Sequence, residues 1–140
     1  MNDETRIYRY IVRYDGGTAP NPYAGHCTLA ICKPRIRRTA RVGDWVVGFR
    51  SRHRGEVLYA MEVGESLSFA DYWNDPRFRS RRPDVEDVPT DNIYRPIHPG
   101  SDECEWVPNN VHDHPDAAKK DLSGQRVLVA RRFWYFGQNS

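Results

Sequence analysis

The sequence predicts a small mixed β-barrel of the α+β class, with one or two short helices and a long irregular insertion. Three observations lead there. Short runs rich in β-branched and aromatic residues recur along the chain. No helical periodicity is long enough to cross between parallel strands. From residue 77 to about 121 the composition turns proline-rich and acidic with little periodicity, which marks an insertion. At 140 residues the chain is expected to form a single domain, residues 1–140, around one core.

Residues 7–14 (IYRYIVRY) alternate Ile7, Arg9, Ile11 and Arg13 against Tyr8, Tyr10, Val12 and Tyr14, the period of a strand with two different faces. Asp15-Gly16-Gly17 ends it, and the two prolines, Asn21 and Gly25 of residues 18–25 predict a loop. Residues 26–33 (HCTLAICK) are almost continuously apolar and predict a strand buried on both faces. Pro34 breaks it, and residues 35–41 read as a short helical turn or an extended arm. The Gly43-Asp44 turn launches a third strand at 45–49, and a polar, cationic loop at 51–55 joins it to a fourth at 57–63. Ser68, three residues before Asp71, predicts the cap of a short helix over 68–73, which Asp75-Pro76 stops. Within the insertion, Val85, Ile93, Tyr94, Trp106 and Val107 are expected to pack in part as a lid. Residues 127–136 (VLVARRFWYF) predict the fifth strand.

Charge is unevenly spread. Residues 1–60 carry eleven basic and five acidic side chains, 61–122 seven and fourteen, and 123–140 three and none. Between Lys33 and Arg54 stand eight cations, seven of them Arg, against Asp44 alone. Planar guanidinium groups suit phosphate forks and base stacking, so this stretch points to a polyanion. A solvated surface is the plainer alternative. No run of about 18 apolar residues is present, and the N-terminus lacks the order of a signal peptide. A cytoplasmic protein without membrane contact is therefore expected. Three cysteines argue for reduced thiols rather than a disulfide framework.

Several runs carry a resemblance: Asp15 with APNP (Ala19 to Pro22), CTLAICKP (Cys27 to Pro34), GDWVVG (Gly43 to Gly48), LYAMEV (Leu58 to Val63), DYWNDPRF (Asp71 to Phe78), DNIY (Asp91 to Tyr94) and FWYFG (Phe133 to Gly137). Together they resemble the second type of nucleotide modification associated domain, nearly end to end. The resemblance implies an association with modified nucleotides in phage and bacterial DNA, without implying a mechanism. The Gly43-Asp44 turn feeding Trp45, Val46 and Val47 is also similar to PUA-like barrels, which include readers of modified bases, and implies a PUA-like pseudobarrel.

Candidate site residues follow from residue chemistry. Tyr23, Trp45, Tyr94 and Trp106 sit beside turns or in loops, where rings can stack a base whose edge Asn21, Asp91 and Asn92 would satisfy. Ordinary packing of Trp45 and Tyr94 is the competing reading. Lys33, Arg35 and Arg37, on an extended segment, would form one row of cations, with Arg38 and Arg41 beyond them, facing phosphate. His98, Cys104, His112 and His114 lack the spacing of a zinc knuckle, so no metal is expected. Cys27 and Cys32 fall in the apolar strand and read as buried, inert thiols, with Lys33 pointing away from Cys32. Asp15 and Asp44 read as turn residues. Without a Walker loop or a Gly-rich dinucleotide turn, no cofactor is expected.

The leading expectation is a module that recognises a modified base in DNA or a nucleotide. The alternative is a small enzyme that makes or removes a nucleobase modification in the same cleft, with Asp15, Lys33, Asp44 or Asp91 as acid and base groups. A third is a subunit docking a protein partner of a modification system through the acidic insertion.

Overall fold

The computed structural model describes residues 4–53 and 55–137, so that Arg54 of the basic stretch lies outside the described residues. Seven strands, β1 (Ile7–Val12), β2 (Thr28–Leu29), β3 (Trp45–Arg50), β4 (Val57–Ser68), β5 (Tyr94–Pro96), β6 (Cys104–Trp106) and β7 (Arg126–Tyr135), alternate with three short helices. These are α1 (Pro34–Thr39), α2 (Phe69–Asn74) and α3 (Ala117–Ser123). The main sheet has the order β1-β3-β4-β7-β2 and curls into a half-barrel, the α+β pseudobarrel the sequence predicts. One pairing departs from expectation: β1 runs parallel to β3, while the other pairs in this sheet are antiparallel.

The curl has local causes. β4 carries register shifts at Glu62/Val63 and Val63/Glu65 where it pairs with β7, and bulges bend and twist the strand that holds them. At Gly48 a Cβ would stand 2.4 Å from the Tyr59 ring and 2.7 Å from Val12 Cγ2. Only glycine lets that ring cross the sheet, where its hydroxyl meets Tyr10 at 2.7 Å. The concave side buries Val12, Val46, Tyr59, Met61, Val63 and Leu128, each contributing about 1.5–3 kcal/mol. The convex side, by alternation, presents Ile7, Arg9 and Ile11 of β1 to solvent.

Helix α2 starts where the sequence predicts, since Ser68 Oγ accepts from the Asp71 amide at 3.0 Å. Helix α1 settles the ambiguity over residues 35–41 in favour of a helix, with Pro34 at its first position. The insertion is better packed than its composition suggests. Phe78, Ile93 and Tyr94 join Ile31, Tyr72 and Val127 in a second core cluster. Its centre is polar: the buried Arg81 donates to the carbonyls of Asn21, Tyr23 and His26 and to Thr28 Oγ1, and its guanidinium stands 3.9 Å from Asp91. Asp91 also accepts from Thr28 at 2.5 Å and Tyr72 at 2.6 Å.

This network ties the insertion to the loop before β2. Truncating Arg81→Ala removes four buried hydrogen bonds and the cation opposite the buried Asp91. The expected loss is about 3–5 kcal/mol of unfolding free energy, measured by urea denaturation.

Candidate functional site

The strand expected over residues 26–33 exists only at Thr28–Leu29, and this correction changes the standing of Cys32. After Leu29 the chain leaves the sheet. Cys32 (φ 59°) and Lys33 (φ 41°) both take left-handed backbone, and Pro34 then opens α1. Two adjacent non-glycine residues in that region store about 1–3 kcal/mol each and persist only where the surroundings fix them. The result is a sharp strand-to-helix turn that carries Cys32 off the sheet into a cleft of about 410 Å³. The end of β1 with Tyr10, Arg13 and Tyr14 forms one wall, and Lys33, His112 and Lys120 border it from the other elements.

At this turn three side chains align. Cys32 Sγ lies 3.4 Å from His112 Nε2, and His112 Nδ1 lies 2.5 Å from Asp121 Oδ2. The same oxygen accepts from Tyr94 Oη at 2.6 Å, and Asp121 Oδ1 accepts from the Cys32 amide at 2.9 Å. Asp121 is buried, whereas Cys32 and His112 are partly open to the cleft. This is a thiol, an imidazole and an orienting carboxylate in series, the arrangement that nucleophilic catalysis requires.

Each member is held from behind. Asn109 Oδ1 accepts from the amides of Val111 and His112, and Trp106 Nε1 donates to the His112 carbonyl at 2.9 Å. Arg37, fully buried on α1, donates to the carbonyls of Cys32 (2.6 Å), Asp121 (2.7 Å) and Arg126 (3.1 Å). Gly124 leaves the room for that guanidinium, because a Cβ there would stand 2.5 Å from Nη1. Burial lowers the Arg37 pKa to about 10, with Asp121 opposing the shift, so it is still a cation at neutral pH.

The electrostatics favour a charged relay. Hydrogen bonds to Asp121 and then Cys32 lift His112 to about 10, against the pull of burial. Burial pushes the Asp121 carboxyl up, yet the bonds from His112, Tyr94 and the Cys32 amide outweigh it and hold the group below the ordinary carboxylate range. At neutral pH the ring is an imidazolium. By contrast, burial raises the Cys27 thiol to about 12 and the Cys104 thiol to about 11, which makes both poor nucleophiles.

The same three groups are the one cluster of ligand atoms near enough to hold a metal among the described residues. One ligand atom from each lies within 4.8 Å of the others, so the cluster has the compactness of a metal-ligand set as well as the hydrogen bonds of a relay. Of the residues weighed for zinc, His112 alone joins this cluster; His98, Cys104 and His114 do not.

The expected site residues are dispersed. Asn21, Asp91, Asn92 and Tyr94 are buried. Asn21 Nδ2 donates to the Pro89 carbonyl, Asn92 Nδ2 to those of Tyr72 and Phe78, and Tyr94 supports Asp121. Tyr23 lies beside Arg81, its ring centroid 5.9 Å from the guanidinium. Trp106 backs the His112 loop, and Trp45 lies on the convex face of the sheet. The cations expected in one row are separated because the segment is helical: Lys33 borders the cleft with Nζ 4.9 Å from the Tyr10 ring centroid, Arg35 is exposed, and Arg37 points inward. Arg38 and Arg41 line another cleft with Arg6 and Tyr8. Asp44 accepts from the amides of Arg6 and Arg41 as a turn residue, and Asp15 accepts from Tyr135 Oη. The triad itself escaped the sequence because its members are 80 and 9 residues apart and only the fold joins them. The one local signal is Pro34, which ends the strand early enough to free Cys32.

The pKa shifts set a pH profile. His112, raised from 6.5 to about 10, contributes stability that is complete below about pH 6.5 and is lost as pH climbs through 10. Asp121, held low, contributes stability that is present above its ordinary value of 3.8 and lost as pH falls through its lowered value. Between about pH 6.5 and 8, below the ordinary thiol pKa, the Tm of the chain is expected to fall. The Tm gap to His112→Gln should narrow across the same interval, read by thermal melts at stepped pH.

No curated protein and no solved structure matches the chain. The family model for nucleotide modification associated domain 2 matches residues 4–140, and the chain belongs to that family.

Proposed function

We propose that the chain is a thiol-dependent acyl-transfer enzyme of nucleotide modification, which places an acyl group on a nucleotide or removes one. The observation that carries this reading is the Cys32–His112–Asp121 relay opening on a cleft. The family supports the nucleotide context. The cleft offers the chemistry a nucleotide needs: Tyr10 and Tyr14 for an apolar ring, and Arg13, Lys33 and Lys120 for phosphate.

In the proposed reaction, Cys32 Sγ attacks the carbonyl carbon of an ester, thioester or amide. The bond to the leaving group breaks, that group takes the proton of the His112 imidazolium, and the acyl group rests on Cys32 as a thioester. An amine or hydroxyl of the acceptor, or water, then attacks the thioester carbon and gives its proton to His112. The Cys32 thiolate leaves, and the starting ion pair is restored. No electrons enter or leave. Asp121 keeps the ring oriented, with Tyr94 and Arg37 as positioning residues behind it.

Recognition of the modified base falls to the same cleft in this reading. The buried positions of Asn21, Asp91, Asn92 and Tyr94 favour the enzyme over a pure reader built on them. The functional unit is the whole domain, because the relay draws on residues 32 to 121. A cytoplasmic location suits a mechanism that needs a free thiol, and all three cysteines are unpaired.

Two measurements test the proposal. Under limiting iodoacetamide at pH 7, peptide mass spectrometry is expected to find Cys32 alkylated at least about tenfold faster than Cys27 or Cys104, with the advantage lost in His112→Gln. Intact-mass analysis with a panel of acyl thioesters and acylated nucleotides is expected to show an acyl adduct that Cys32→Ala abolishes. Turnover should drop by about 10²–10⁴ in His112→Ala. A Cys32 no more reactive than Cys104 would overturn the reading.

A further inference from the structure

The convex face of the main sheet carries a second constellation that the relay does not use. Register places Ile7, Trp45, Glu62 and Arg132 side by side across β1, β3, β4 and β7, and Arg9, Val47, Ala60 and Trp134 in the next row. Ala60 is small, so the two indoles reach across β4 and stack, with centroids 6.0 Å apart and planes 19° from parallel. The Arg132 guanidinium lies over both rings, at 5.2 and 6.0 Å. Trp134 is 47% exposed, Ile7 55% and Ile11 51%. Large aromatic area left open on a sheet, with a guanidinium stacked on it, is unusual for mere solubility.

The surrounding charge selects the occupant. Arg9, Arg131 and Arg132 stand on or beside this face, and its acid, Glu62, lies within 3.8 Å of Arg131 and 3.3 Å of Arg132. The cleft containing Arg6, Arg38 and Arg41 also holds Tyr8, which packs on the concave core, so those arginines belong to the other side of the sheet. Flat rings flanked by arginines suit bases in a strand, with the phosphates on the cations. A duplex hides its base faces and cannot use such a platform.

We infer that the convex face is a binding platform for single-stranded nucleic acid, with Trp45 and Trp134 stacking bases, and Arg9, Arg131 and Arg132 contacting the backbone. The platform and the catalytic cleft share β1. Ile7 lies at one end and Ile11 borders the cleft at the other, about 13 Å away at strand spacing. The platform stands independently of the acyl-transfer chemistry and would present a nucleotide within a strand, rather than a free one, to the cleft.

The test is fluorescence anisotropy of the full chain with a labelled oligothymidylate of about twelve nucleotides. Binding is expected to weaken steeply between about 50 and 200 mM salt, and a duplex of equal length should bind at least about tenfold more weakly. Trp134→Ala should reduce affinity at least about tenfold, as should Arg132→Ala at low salt, with circular dichroism unchanged. The rate of Cys32 alkylation serves as the control and should be the same in Trp134→Ala as in the parent chain, which separates loss of the platform from damage to the cleft. Undiminished binding by Trp134→Ala, equal binding of duplex, or no binding at the lower salt would overturn the inference. So would a dimer in sedimentation that Trp134→Ala dissolves, because the face would then belong to a second copy.

Discussion

The site depends on the Asp121 carboxylate. It is buried on α3 and receives the imidazole of His112, the hydroxyl of Tyr94 and the amide of Cys32, so that segments far apart in sequence converge on two oxygen atoms. A buried carboxylate without such donors would lose its charge, and the imidazole would lose both its orientation and its proton. The backbone on either side is fixed as well, since Arg37 grips the carbonyls of Cys32 and Asp121. A cation and an anion are thus buried within one small region. Neither is left facing apolar surroundings alone, because each is saturated by fixed partners.

The second buried carboxylate makes an instructive contrast. At Asp91, burial raises the pKa, and the charge of Arg81 with the bonds from Thr28 and Tyr72 offsets only part of the shift. At Asp121 the same kind of contest is won by the donors. The difference fits their positions. Asp91 lies wholly inside the second core, closing a network of carbonyls and hydroxyls, and touches no cleft. Asp121 lies behind a ring that reaches solvent, where charge on the outer partner is stabilised by water on one side and by the carboxylate on the other. The two aspartates are chemically alike in sequence and differ entirely in what surrounds them.

Much of the architecture was legible in one dimension. Alternation in residues 7–14, the apolar runs that became β3 and β7, and the Ser68 cap each follow from local rules, and the structure places all of them within a few residues. The parallel pairing of β1 with β3 was not legible, because β2 and α1 between them form a compact crossover with no long helix to announce it. The site was less accessible still. Hydrophobicity correctly assigns residues 27–31 to the interior but says nothing of the left-handed turn at Cys32 and Lys33, which removes the thiol from that strand. The insertion composition hid both Arg81, which organises the core, and His112, which looked like an isolated loop histidine. The basic run from Lys33 to Arg41 was read as one element. A helix at that point rotates its members apart, so that one cation faces the cleft, one supports the relay and the others face solvent.

The protonation state of the relay constrains its chemistry. In the proposed reaction, the bonds to Asp121 and Cys32 that raise the His112 pKa favour the protonated ring, with Cys32 Sγ 3.4 Å from its Nε2. The ring is therefore placed to act first as an acid. The proton then serves the departing group, which favours substrates whose leaving atom is too basic to depart as an anion. Oxygen and nitrogen leaving groups meet that condition better than thiols do. Only after the first bond breaks is the ring neutral and able to accept a proton from the incoming group, while Asp121 keeps it aligned. In the proposed reaction the order of events, acid before base, rests on a carboxylate buried on α3 and on the backbone turn that holds Cys32 beside the ring.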